Sequence, residues 1–229
     1  ATPDRRRFKY CCHGELSSPC RPVAAGAYDS GMNSHPRTTH VLYLHGFRSS
    51  PGSAKSRMLA QRIAREHPAV TWWCPQLPMS PRQAMDMVSD GIRDWPRASM
   101  AVLGSSLGGF YATWLAEQGA ARVVLLNPAI HAARDLATQV GEHAAWHDPD
   151  QRLVFEPGFV DELRALACGG PTMPQRYCLL AAKGDEVLDW REMTARYPGV
   201  QLQLLEGSDH GLSDFADHID GVVRFLDLA

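Results

Sequence analysis

The chain has 229 residues, of which 45% are hydrophobic and 21% charged, with a formal net charge of -2. That length and composition suit one globular α/β domain, and the near-balanced charge argues against a nucleic-acid partner. No run of about 18 apolar residues occurs, so no membrane-spanning helix is expected.

Residues 1–38 are polar and rich in Gly, Pro and Ser, without helical or strand periodicity, and read as a disordered extension before a domain at 39–229. Met32 lies just ahead of the first good strand and is a candidate natural start. Arg5, Arg6 and Arg7 are followed by no apolar stretch, which makes a poor secretory signal, so a cytoplasmic protein is expected. Its six cysteines (Cys11, Cys12, Cys20, Cys74, Cys168 and Cys178) then read as reduced thiols. Cys11, Cys12, His13 and Cys20 match no standard zinc spacing, and neither metal nor cofactor is expected.

From Thr39 the pattern becomes regular. A short apolar strand is expected over 40–45, then a helix over 53–67 stopped by Pro68, and a strand over 69–74. A helix follows from about Pro81, with Ala84, Met85, Val88 and Ile92 on one face. A strand over 99–104 leads into a helix over 106–119, and a strand over 122–126 ends at Asn127-Pro128. The segment 129–174 is less regular, with helices expected at 132–143 and 158–167. Beyond it come a strand at 177–182, a helix at 189–197, a strand at 200–205 and a last helix at 213–228. Strands alternating with helices imply a mostly parallel, doubly wound sheet with helices on both faces.

The chemistry is concentrated in three turns. Gly104-Ser105-Ser106-Leu107-Gly108 fits G-x-S-x-G, follows an apolar strand and opens a helix, as a nucleophile elbow requires. Were Ser105 the nucleophile, Leu103 would stand where a glycine is needed, so Ser106 is the candidate. The competing reading, a nucleotide-binding turn, lacks the G-x-G-x-x-G spacing. His45-Gly46-Phe47 after the first strand suits an oxyanion loop, with the Phe47 and Leu107 N–H groups as donors and His45 shaping the turn. His210 lies after the last strand and is the candidate base. Asp185, turning out of the strand before it, is the candidate acid. His131, His143, His147 and His218 are weaker candidates for the base, and Asp135, Asp189 and Asp209 for the acid; Asp189 better suits a helix cap.

Seven blocks carry a wider resemblance. They are Leu42 to Phe47 with Ser49 to Pro51, Ser53-Ala54-Lys55, Pro75 to Pro78, Gly104 to Gly109 with Tyr111 to Leu115, Asn127-Pro128-Ala129, Gly184 to Asp189, and Asp209-His210. In this order and spacing the chain resembles the YqiA-like family of small bacterial esterases, a compact branch of the α/β hydrolases. The resemblance implies an α/β-hydrolase fold with only a small insertion as lid. It also implies esterase or thioesterase activity on acyl substrates without a cofactor, and it carries the catalytic triad onto Ser106, Asp185 and His210. Departures are the residues before 39, the Asp209 that precedes His210, and the poorly matching stretch 140–170. Trp146, Phe155 and Phe159 in that stretch are expected to roof a modest apolar site for small or unhindered acyl groups. A non-catalytic ligand-binding protein, or the same triad cleaving C–C or amide bonds, are the alternatives. Neither the natural acyl and leaving groups nor the oligomeric state is readable in these residues.

Overall fold

The structure, a computed structural model, describes residues 36–120 and 122–229. Met32, the cysteine–histidine cluster at 11–20 and nearly all of the expected extension lie outside the described residues. Backbone pairing begins at Thr38, which is 1% exposed. Its N–H donates to Asp227 O at 2.9 Å and its carbonyl accepts the Ala229 N–H at 2.9 Å. Thr38 is thereby tied to the residues that follow the last helix.

Six strands form one parallel sheet: β1 (His40–Leu44), β2 (Thr71–Trp73), β3 (Met100–Ser105), β4 (Arg122–Leu126), β7 (Tyr177–Ala182) and β8 (Gln201–Leu205). Their order is β2-β1-β3-β4-β7-β8, every neighbouring pair parallel. Alternation along each strand divides the core in two. Leu42, Leu44, Val102, Val123 and Leu125 face one side, where α2 (Pro81–Gly91), α3 (Leu107–Ala116), α5 (Pro157–Leu166) and α6 (Trp190–Arg196) pack. Val41, Tyr43, Leu103, Val124 and Leu126 face the other, covered by α1 (Ala54–Glu66) and α7 (Phe215–Leu226).

The central strands are continuous apolar runs because both faces are covered. Helix α3 is apolar around almost its whole circumference because it sits at the middle of the sheet; Leu107, Phe110, Tyr111, Ala112 and Leu115 are all buried. Ser80 caps α2, its hydroxyl accepting the Gln83 N–H at 3.2 Å, with Pro81 at the first helical position.

One expected element is corrected. The helix expected at 132–143 stops early as α4 (Ala132–Leu136) and a single 3₁₀ turn (Ala137–Gln139). An antiparallel hairpin follows, formed by β5 (Gly141–Ala144) and β6 (Arg152–Phe155). Thr138 and Val140 are β-branched, and Gly141 takes φ +135, a conformation that ends a helix. Helix periodicity at Ala132, Ala133 and Leu136 carries no information about that stop.

Candidate active site

Because all six strands run parallel, the loops that leave them gather at the carboxyl edge of the sheet. Three of those loops converge. Ser106, immediately after β3, holds φ 55 and ψ -121, where non-glycine residues rarely sit. Three backbone bonds hold the strain. The Ser106 N–H donates to Leu126 O at 3.0 Å, and its carbonyl accepts from Gly109 at 2.9 Å and Ala129 at 3.0 Å. The β1 loop passes directly beside it, since a Cβ on Gly46 would lie 3.1 Å from Ser106 Cβ.

From the β8 loop His210 reaches across, its Nε2 3.0 Å from Ser106 Oγ. Its Nδ1 lies 2.8 Å from Asp185 Oδ2, at the end of β7. The Asp185 side chain is 0% exposed and that of His210 21%. Asp185 Oδ1 accepts the N–H groups of Val187 and Leu188, both at 2.8 Å, which fixes the carboxylate in one orientation. A carboxylate accepts only, so Nδ1 carries the proton and Nε2 is left to accept from the serine hydroxyl.

The His210 turn is itself held by side chains from three other elements. Asn127, after β4, is fully buried, and its Nδ2 donates to Asp209 O at 3.0 Å and His210 O at 3.2 Å. Its Oδ1 accepts the Ala182 N–H at 2.8 Å, so one amide ties the end of β7 to the histidine turn. Asn127 has φ +42, a left-handed conformation that asparagine tolerates better than most residues. Glu186 accepts the His210 N–H at 3.0 Å. Lys55, from α1, donates to Gly211 O. Burial pushes its pKa down to about 8, against the opposing pull of Asp209 and Asp185.

Asn127→Ala strips an acceptor from the buried Ala182 N–H and a donor from two carbonyls. A loss of about 2 kcal/mol is expected in urea unfolding. Because the histidine rather than a binding surface is displaced, kcat should fall while KM changes little.

His45 ties the β1 loop to the Leu77 backbone. Its ring is 3% exposed, and Nε2 accepts the Leu77 N–H at 3.0 Å while Nδ1 lies 3.0 Å from Gly46 O. Burial holds its pKa below the ordinary histidine value, and an acceptor nitrogen requires the neutral ring. Among the weaker candidates, Asp189 caps α6 by accepting the Arg191 N–H at 2.9 Å. Asp209 turns away to accept from Ser213 N at 2.9 Å. Asp135 pairs with Arg134, His218 with Asp214, and His143 Nε2 lies 2.6 Å from Gln139 O.

Ser106 and His210 open into a cavity of about 560 Å³, also walled by Phe47, Leu107, Leu136 and Leu188. Of the three aromatics expected to roof it, only Trp146 lines it. Phe155 is 1% exposed in the core and Phe159 packs against it, ring centroids 5.6 Å apart. Phe155 meets the Phe47 ring edge-to-face at 5.4 Å, so it buttresses the loop after β1. An apolar residue in an irregular segment reads alike as roof or as buttress, which is why sequence could not separate them.

Comparison with known proteins adds the relatives. The model of a family described as an uncharacterised protein family (UPF0227) matches residues 40–227. Among solved structures, the chain is similar to one of the metagenome-derived lipolytic enzymes LipS and LipT. The identity is 19%, the TM-score 0.61, and 83% of this chain and 94% of the other are covered. Est1E from Butyrivibrio proteoclasticus is 13% identical with a TM-score of 0.60, covering 84% and 88%. Alpha/beta hydrolase domain-containing protein 10 from mouse is 14% identical with a TM-score of 0.58, covering 83% and 91%. These are likenesses of fold, and they make the fold that of the α/β hydrolases.

Proposed function

The chain belongs to the uncharacterised protein family UPF0227, the YqiA family, and from the geometry of its candidate site we propose that it is a serine esterase or thioesterase acting on small acyl substrates. The observation that carries the reading is the hydrogen-bonded series Ser106, His210 and Asp185, with separations of 3.0 and 2.8 Å, opening into one cavity. Strain at Ser106 and the close approach of Gly46 support it, because an acyl-transfer site needs the serine beside two oxyanion donors.

In the proposed reaction Ser106 Oγ attacks the ester or thioester carbonyl carbon, and its proton passes to His210 Nε2. Asp185 holds the ring and stabilises the imidazolium. The Phe47 and Leu107 N–H groups receive the oxyanion, each worth about 3 kcal/mol in the transition state. The tetrahedral intermediate collapses, His210 protonates the leaving alcohol or thiol, and the acyl group remains on Ser106. Water, deprotonated by His210, then attacks the acyl-enzyme and frees the acid. No cofactor takes part in these steps. The 560 Å³ cavity has room for an acyl group beside Ser106. No described helix is long and apolar enough to cross a membrane, and we place the protein in the cytoplasm, where the free thiols Cys74, Cys168 and Cys178 would persist.

Labelling with a fluorophosphonate tests the reading. Mass spectrometry should place the adduct on Ser106, and Ser106→Ala should not label. A panel of p-nitrophenyl esters and acyl thioesters should then show turnover of short chains. A folded wild type that neither labels nor turns over any ester would favour a ligand-binding protein instead.

A further inference from the structure

Arg48 is the second residue of the β1 loop beyond Gly46, and it lines the cavity that holds Ser106 and His210. Its position is fixed at three points. The Arg48 carbonyl accepts the Trp146 N–H at 3.0 Å, and its Nε donates to Ala144 O at 2.8 Å. The guanidinium carbon lies 4.2 Å from the Trp146 ring centroid, so the planar head is stacked. The residue holds φ 60, a left-handed backbone that arginine rarely adopts and that the hairpin bond maintains.

Nothing among the described residues neutralises that head. Glu142 pairs with Arg152, while Asp135 and Glu192 both pair with Arg134. Arg134, the other cation on the cavity wall, spends Nε on Asp135 and both terminal nitrogens on Glu192, at 2.7, 2.8 and 2.8 Å. Arg48 differs: Nε is engaged, and the two terminal nitrogens have no protein partner among the described residues. A guanidinium held by stacking and by Nε has already lost most of its rotamer freedom. Its remaining donors form a fork of the kind that receives a carboxylate or phosphate in two parallel bonds. A role limited to tying the loop to the hairpin would not require the terminal nitrogens to stay unpaired on the wall of the cavity that holds Ser106.

We propose that Arg48 is a specificity residue that binds an anionic group of the substrate, so that the protein acts on esters or thioesters carrying a carboxylate or phosphate. The inference rests on the hydrolase reading of Ser106, His210 and Asp185. The anion can belong to the acyl part or to the leaving group, and the chemistry recognised is the same.

The test compares kcat/KM for two pairs of substrates on the wild type, Arg48→Gln and Arg48→Lys: mono-4-nitrophenyl glutarate against neutral 4-nitrophenyl pentanoate, and 4-carboxyphenyl acetate against phenyl acetate. The readout is the ratio of anionic to neutral substrate, in which any general loss of activity cancels. The wild type should favour an anionic member by about tenfold. Arg48→Gln should bring that ratio close to one, and Arg48→Lys should retain part of it. The glutarate arm places the anion on the acyl side, and the carboxyphenyl arm places it on the leaving group. A wild type with no anionic preference in either arm, or a preference that Arg48→Gln leaves intact, overturns the proposal. If no ester is hydrolysed, the esterase reading fails by itself. Calorimetric titration with glutarate then decides on Arg48: binding weakened in Arg48→Gln upholds the anion site, and binding absent or unchanged removes it.

Discussion

Replacing Ser106 or His210 by alanine is expected to lower kcat by about 10⁶-fold, and Asp185→Asn by about 10⁴-fold. The ranking follows from the hydrogen bonds. In the proposed reaction Ser106 and His210 handle the same proton across 3.0 Å, so either loss would stop acyl transfer by this route. Asp185 moves no proton; its asparagine variant keeps the shape but presents an N–H where Nδ1 needs an acceptor, and the imidazole turns to the wrong tautomer. The double variant Ser106→Ala/His210→Ala should be no slower than either single one, because the residues act as a unit. Steady-state and single-turnover rates on a short-chain p-nitrophenyl ester measure all four. Multiplying losses in the double variant would mean that the two side chains work independently, and the acyl-enzyme mechanism would fall with that result.

The sequence made the central parts of this site legible because each depends on local pattern. A strand, a turn of two glycines around Ser106 and an apolar helix are neighbours in the chain, and so are Asp185 and the strand that delivers it. The six parallel strands were legible for the same reason: β3 and β7 are unbroken apolar runs bounded by turn residues. What sequence could not supply were the contacts that join distant segments. Asn127 reads as a strand stop before Pro128, yet its amide bonds residues 82 and 83 positions away. Lys55 lies in the first turn of the expected helix at 53–67, and nothing in that pattern says that it reaches Gly211. Glu186 lies within the motif that contains Asp185, but its bond to the His210 N–H depends on how two loops meet. The hairpin β5–β6 was missed because its alternation is short and partly polar. With it went the true positions of Phe155, against the Phe47 ring, and of Trp146, against Arg48.

Gly108→Ala is expected to destabilise the fold on the order of 4 kcal/mol, at the upper end of single substitutions. A Cβ there would lie 2.0 Å from Leu44 O, 2.5 Å from Leu44 C and 2.8 Å from His45 O. All three are backbone atoms of β1 and its loop, and β1 is hydrogen-bonded to β2 on one side and β3 on the other. The strand cannot retreat without breaking two ladders, so α3 must move instead. That helix carries Leu107 at its first turn and follows Ser106 directly, so the serine and the Leu107 N–H shift with it. Activity should therefore be lost at temperatures where the variant is still folded, a separation that thermal unfolding and ester hydrolysis measured side by side would reveal. Gly158→Ala is the matched control. It lies in α5 with nothing within 4 Å of its added Cβ. Alanine in a helix is better than glycine by about 0.5–1 kcal/mol, so this variant should be at least as stable as the wild type. If Gly108→Ala behaved like the control, helix α3 would not be pressed against β1, and the account of how the fold holds Ser106 at its strained angles would fail.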